Sequence, residues 1–317
     1  MTRMISLSKT LKTITAISTL ALACQAVQAA DAESCKTVRF GMMNWTDLEA
    51  TTAVAKTLLH QLGYETKETS ASQPIIFSAI KDKRLDAFLG YWSPSTDQTI
   101  APFLQRKELK VSDQPNLADG QMTLAVPTWL AEKGLKTFSD IHRFKDELDG
   151  RIYGIDPGTD VNSRLKEMID KNQFNLAGFK LIESGEAGML SAVTRADRRK
   201  TPIVFLGWKP HPMNMNFDIT YLGDSNDVLG PKDGKATVWT VTRPDYAEQC
   251  PNVERLLQNL QFTSDPESSM MQRIMNKETP MTVAKDFIDS NPEQVKKWLA
   301  GVSTFSGGDT SHIVARQ

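Results

Sequence analysis

Histidine and cysteine are scarce in this chain of 317 residues, with four of the first and three of the second. The histidines, His60, His142, His211 and His312, are scattered without metal-ligand spacing. No metal site and no cofactor is therefore expected. Gly230-Pro231-Lys232-Asp233-Gly234-Lys235 has the wrong spacing for a phosphate loop and lacks a Ser or Thr directly after the Lys. No general acid–base pair stands out, so no catalytic residue is assigned and an enzyme is not expected. A formal net charge of −1 gives nucleic-acid binding no electrostatic support. Beyond residue 29 no apolar run is long enough to cross a bilayer. Low-complexity linkers are also missing, which fits one lobe interrupted by another, with two crossings between them.

What is present begins with a leader. Arg3, Lys9 and Lys12 form a basic region, Ile14 to Ala23 a short apolar one, and Val27-Gln28-Ala29 a small-residue cleavage signal. This is the pattern of a secretory signal peptide over residues 1–29, and it predicts a soluble, exported, periplasmic chain. Leu22-Ala23-Cys24 is a weaker alternative, a lipoprotein-like site with its Leu one place too far from the Cys. Cleavage after Ala29 leaves Cys35 and Cys250, either paired, as exported cysteines usually are, or present as two buried thiols.

The chain is organised around Asp86-Ala87-Phe88-Leu89-Gly90-Tyr91-Trp92-Ser93-Pro94, an apolar run closed by a glycine and aromatic rings. It has an echo in Ile203-Val204-Phe205-Leu206-Gly207-Trp208-Lys209-Pro210. Both read Phe-Leu-Gly, then a Trp, one residue, and Pro. A third Trp follows a candidate strand in Met42-Met43-Asn44-Trp45-Thr46-Asp47.

Period and punctuation predict a strand over 37–43, a helix over 47–62 ended by Gly63, and a strand over 64–69. A helix from Pro74 to Lys81 and a strand over 85–90 follow. That alternation argues for a parallel α/β sheet. Met122 to Pro127 reads as the first crossing between lobes and Ala236 to Val241 as the return. Between them come a helix capped by Ser139, a strand over 151–155 and a helix opened by Thr159 and Asp160. A strand over 179–183, a helix over 189–195 and a strand over 203–207 complete that unit. The remainder reads as helices, one capped by Asn252 and the last by Asn291, with a Gly/Ser/Thr-rich tail after Gly301 that frays. The lobes are expected at 36–120 plus 237–317 and at 121–236.

Open α/β sheets bind ligands at strand ends, where Trp45, Trp92 and Trp208 fall. A single buried Trp is ordinarily core packing, but three in matching contexts point to a box of indole faces. Trp129, Trp239 and Trp298 lack that context and read as structural. Indole faces attract cations without hydrogen bonds, which suits a quaternary ammonium group that has no N–H to donate. Asp47 is the candidate counter-charge, or a helix N-cap. Thr159 and Asp160 open a helix whose free N–H groups could meet a ligand hydroxyl or carboxylate, or are simply capped. Tyr91 and His211 stand as secondary candidates beside them.

At these residues the chain resembles the substrate-binding proteins of quaternary-amine ABC importers, the choline, glycine betaine and carnitine family, and most of all its choline-binding branch. The resemblance runs from Cys35 to about Gly308. It is carried by Trp45-Thr46-Asp47, Phe88 to Pro94, Gly154-Ile155-Asp156-Pro157-Gly158 and Phe205 to Asn214. It implies a two-lobed type II periplasmic-binding fold hinged around a cleft, and a Cys35–Cys250 disulfide. It also implies a monomer that docks on a membrane permease served by a separate ATPase. In the choline branch the box holds four aromatics, an Asp and an Asn. Trp45, Trp92, Trp208 and Asp47 match; Met122 stands where the fourth aromatic, a Tyr, belongs, and Thr159 where the Asn belongs. Those departures rank carnitine or glycine betaine ahead of choline. Two other readings use the same ligand class. An extracytoplasmic enzyme would need a titratable pair in the cleft, and an osmolyte sensor would need a fused membrane or signalling segment.

Overall fold

The computed structural model describes residues 31–314; the leader over 1–29 and Cys24 lie outside them. The first half follows the predicted alternation: β1 (Thr37–Met42), α1 (Thr46–Gln61), β2 (Glu65–Ser70), α2 (Gln73–Lys81), β3 (Ala87–Ser93) and α3 (Asp97–Gln105). After the short β4 (Lys110–Val111) come β5 (Leu117–Pro127) and α4 (Thr128–Glu132). The second unit is β6 (Arg151–Tyr153), α5 (Asp160–Asp170), β7 (Lys180–Ile182), α6 (Glu186–Arg199) and β8 (Phe205–Lys209). Then β9 (Ile219–Tyr221) and β10 (Lys235–Thr242) lead into the C-terminal helices.

The strands form one sheet in the order β2-β1-β3-β10-β5-β8-β6-β7, with β4 on β10 and β9 on β5. Read inward from either edge the pattern repeats: three parallel strands, then one antiparallel strand. The two predicted crossings are those antiparallel strands, β5 and β10, which pair with each other at the centre. The sheet is therefore mixed rather than parallel throughout. β3 and β8 hold equivalent places, which explains the echo in their sequences. Neither glycine of that echo has room for a side chain. A Cβ on Gly90 would lie 2.9 Å from the Phe88 ring, and one on Gly207 would lie 2.8 Å from the Tyr221 ring. The Ser93–Pro94 and Lys209–Pro210 peptide bonds are both cis.

Cys35, just before β1, and Cys250, at the start of the helix Pro251–Asn259, are disulfide-bonded with Cα atoms 5.6 Å apart. Three local expectations are corrected. Ser139 caps nothing: Thr137 and Asp140 form a capping box on a 3-10 segment, Phe138–Phe144. Asn252 sits inside its helix, where its side chain meets the Tyr64 hydroxyl at 2.7 Å and the Ser303 carbonyl at 2.7 Å. The tail from 302 to 314 is docked rather than frayed. Phe305 packs edge-on against Tyr64 at 5.2 Å and its N–H donates to the Leu62 carbonyl at 2.7 Å. Composition suggested a loose tail, but one aromatic ring in a matching groove outweighs the glycines around it.

Candidate functional site

Trp45, Asp47, Trp92, Met122, Thr159, Asp160 and Trp208 line one cavity where the two halves of the sheet meet. Each residue but Met122 lies at or just beyond a strand's C-terminal end. Trp45 and Asp47 follow β1, Thr159 and Asp160 follow β6, and Trp92 and Trp208 close β3 and β8. Met122, on β5, is the cross-strand partner of Trp208. Its thioether is thus placed beside an indole, a favourable and adaptable contact.

The indole N–H groups of two rings are held by acids. Trp92 Nε1 donates to Asp47 Oδ2 at 3.0 Å, and Trp45 Nε1 donates to Asp156 Oδ2 at 3.0 Å. With those donors engaged, the ring faces are the part of each indole left without a hydrogen-bonding group. Trp208 is backed by the His211 ring, edge-on at 4.7 Å.

Asp47 is not the N-cap of α1; Trp45 occupies that position and Asp47 lies in the first turn. There the helix dipole favours its negative charge. Its carboxyl is nevertheless pushed up to about 6, first by burial and then by the charge of Glu186, against the Trp92 and Leu48 hydrogen bonds. Glu267, sealed in the helix Ser264–Met275, is raised well above its ordinary value by burial, with Asp47 and Asp119 adding to it. Thr159 is the N-cap of α5, yet its hydroxyl donates back to the Asp156 carbonyl at 2.9 Å rather than capping.

Tyr91 and His211, the other secondary candidates, do not line the cavity. The Tyr91 hydroxyl donates to Asp97 at 2.8 Å, and His211 is buried behind Trp208. The three remaining Trp residues are outside it as well. Trp298 packs against Phe262 and Phe287, Trp239 donates to Thr237, and Trp129 lies under the Lys133 ammonium.

Sequence reasoning missed Gln73, Ser95, Thr96, Ile155, Val161 and Glu186, which complete the lining. Gln73 and Glu186 open α2 and α6, on the strand-to-helix turns after β2 and β7, which carry none of the predicted residues. Applying the strand-end rule to every turn, and not only to those bearing Trp, would have found them.

Acids of the second half also reach across the cavity. Besides Asp156 on Trp45, Glu186 accepts the Thr46 N–H at 3.0 Å and Asp160 accepts the Thr99 N–H at 2.9 Å. Arg164 donates to the Pro94 carbonyl at 2.9 Å. These bonds join the N-terminal turns of α5 and α6 to those of α1 and α3, so the cleft is closed. Among the described residues no helix is long and apolar enough to cross a membrane, and no cluster of His, Cys, Asp or Glu could hold a metal ion.

The chain is similar to an ABC-transporter choline-binding protein solved with choline, at 47% identity and a TM-score of 0.87, over 90% of this chain and 99% of that one. The same identity and coverage relate it to an ABC-transporter choline-binding protein in an unliganded, semi-closed conformation, at a lower TM-score of 0.81. The glycine betaine/carnitine transport binding protein GbuC of Listeria monocytogenes is 29% identical over 164 residues, 52% of this chain and 54% of that protein. This chain thus matches only about half the length of that relative. Residues 36–290 match the OpuAC family model, the substrate-binding domain of an ABC-type glycine betaine transport system. That match spans most of the chain, and the chain belongs to this family of transport substrate-binding proteins, with their type II periplasmic-binding fold.

Proposed function

We propose that this chain captures a quaternary ammonium cation, choline or a close analogue, and delivers it to an ABC permease. The cation sits among Trp45, Trp92 and Trp208, with Asp47 as counter-charge and Met122 as a soft wall. Its polar end meets Thr159 and the first turn of α5. The observation that carries this reading is the charge of the lining. Asp47, Asp160 and Glu186 are there, and no Lys or Arg is. A ligand carboxylate would enter an acidic, water-poor space without a cationic partner, which is costly. The acidic lining puts choline ahead of carnitine and glycine betaine, the reverse of the ranking drawn from Met122 and Thr159. The likeness to a choline-binding protein supports the same order.

The energies suffice. Each desolvated cation–π contact contributes up to about 2 kcal/mol, so three give roughly 6. A micromolar dissociation constant needs about 8 kcal/mol, and burial of the methyl groups closes the gap. Closure is a hinge motion between lobes at 36–120 plus 237–317 and at 121–236, biased by the ligand's preference for the shut form. On this reading the chain acts as a monomer in the periplasm after losing residues 1–29, and performs no chemistry itself.

Calorimetry against choline, glycine betaine, carnitine and proline tests it. Choline is expected to bind at micromolar concentration or below, the two zwitterions at least tenfold more weakly, and proline not at all. Tighter binding of either zwitterion than of choline would sink the charge argument. Silence from all four would sink the function.

A further inference from the structure

We propose that Glu186 determines specificity: it is a second counter-charge facing Asp47 across the cavity, and it makes a cation, not merely a ligand of the right shape, the condition for closure. This deepens the reading above and rests on it.

Glu186 is the first residue of α6 and its side chain is 5% exposed. Oε2 accepts the Thr46 N–H at 3.0 Å. Oε1 accepts the Thr46 hydroxyl and, at 3.2 Å, a proton held on His211 Nε2. The backbone sets that tautomer. Met213 N–H donates to His211 Nδ1 at 2.9 Å, so Nδ1 carries no proton and Nε2 is the donor. Burial works against the Glu186 charge, but the bonds from His211 and Thr46 outweigh it and bring the carboxyl below its ordinary value.

Two carboxylates therefore share one cavity, Asp47 from α1 and Glu186 from α6, on opposite halves of the sheet. Like charges in a poorly hydrated space repel strongly. The effect is already visible at Asp47, where Glu186 adds to burial in discouraging ionisation. Shutting an empty cleft brings these charges together. Shutting it on a cation places an opposite charge between them. The same carboxylate also grips the first turn of α1, one residue past Trp45, so recognition of charge and retention of the closed form act through one group. A ligand shifts the closure equilibrium only by its differential affinity for the two forms, and here that difference comes from its charge.

The test compares choline with 3,3-dimethylbutan-1-ol, in which carbon replaces the ammonium nitrogen so that shape is kept and charge removed. Calorimetry on the purified chain follows both ligands in the wild type, Glu186→Gln and Thr46→Val. Glu186→Gln is expected to narrow the preference for choline by roughly tenfold or more. Thr46→Val removes a latch hydroxyl but no charge, so it should weaken both ligands by the same factor and leave the preference alone. An unchanged preference in Glu186→Gln overturns the proposal while the quaternary-ammonium reading stands. A wild type that binds no quaternary ammonium compound overturns that reading and this inference together. Should Glu186→Gln fail to fold, Asp47→Asn decides, because its amide oxygen still accepts the Trp92 N–H. With one of the facing charges gone, small-angle scattering of the ligand-free variant should show a larger compact fraction than the wild type; an identical profile overturns the proposal.

Discussion

The ends of β3 and β8 carry the same sequence idea and do different work. Each strand ends in a glycine too crowded for a side chain, a Trp facing the cavity, and a cis proline. Behind Trp92 the bonds stay at home: its N–H goes to Asp47, and the Asn116 amide ties the Leu89 carbonyl of the same strand to Thr240 of β10. Behind Trp208 the bonds lead away. His211 supports that ring and orients Glu186, and Glu186 crosses the cleft to Thr46. One half is an anchor and the other a clasp. The anchor half is also the one tied by Cys35–Cys250. A duplicated motif thus sets where an aromatic ring sits, while its unduplicated neighbours decide what holds that ring in place.

Breaking the disulfide should give the largest effect, and only on the anchor side. The chain-entropy model assigns at most about 5 kcal/mol to closing so long a loop. Replacing Cys35 and Cys250 by Ser should lower the denaturation midpoint markedly while choline affinity stays within about twofold. A large loss of affinity would mean that the bond shapes the site itself.

Trp92→Ala should weaken choline binding by about a hundredfold, because it removes a π face and also the donor that orients Asp47. Trp208→Ala, which removes a face but leaves Glu186 in place, should cost at least about tenfold. Equal losses would erase the distinction between anchor and clasp; no loss in either would remove the box.

Acid should separate affinity from stability. Asp47 titrates at about 6 in the folded protein against an ordinary 3.8, with Glu186, Glu267 and His211 as its charged or titratable neighbours. The folded, ligand-free chain holds this proton more tightly than the unfolded chain. The stability contributed by that proton is present below about 4 and is lost as pH rises through about 6. On the proposed reading the cation needs the ionised form, so choline affinity should fall as pH drops below about 6, approaching tenfold per pH unit. Titrations at pH 5 and 7 beside melting curves check both signs; affinity that rises on acidification would exclude Asp47 as the counter-charge.

The smallest change sharpens the clasp. Met122→Tyr with Thr159→Asn should raise choline affinity by a few fold, since a ring would replace the thioether opposite Trp208. Unchanged affinity would show that these two positions do not set selectivity.

Much of the site was legible because strand ends in α/β sheets announce themselves: an apolar run, then a glycine or a Trp, then a helix start. Trp45, Trp92, Trp208, Asp47 and Thr159 all carry that local mark. Gln73 and Glu186 do not, since polar residues at helix starts are everywhere and only the facing half makes these two special. Its position after Trp208 makes His211 a candidate ligand contact, but its role depends on Met213 and Glu186, which the local sequence pattern does not reveal.

By itself the sequence determined the alternation of strands and helices and the indoles placed at strand ends. Those follow from backbone sterics and the period of apolar residues, which act over a few positions. Tertiary structure alone decided that β5 and β10 run against their neighbours, that Phe305 docks the tail, and that acids from α5 and α6 meet the first turns of α1 and α3. Each of these joins groups far apart in the chain, and their energies exist only once burial has lowered the dielectric around them.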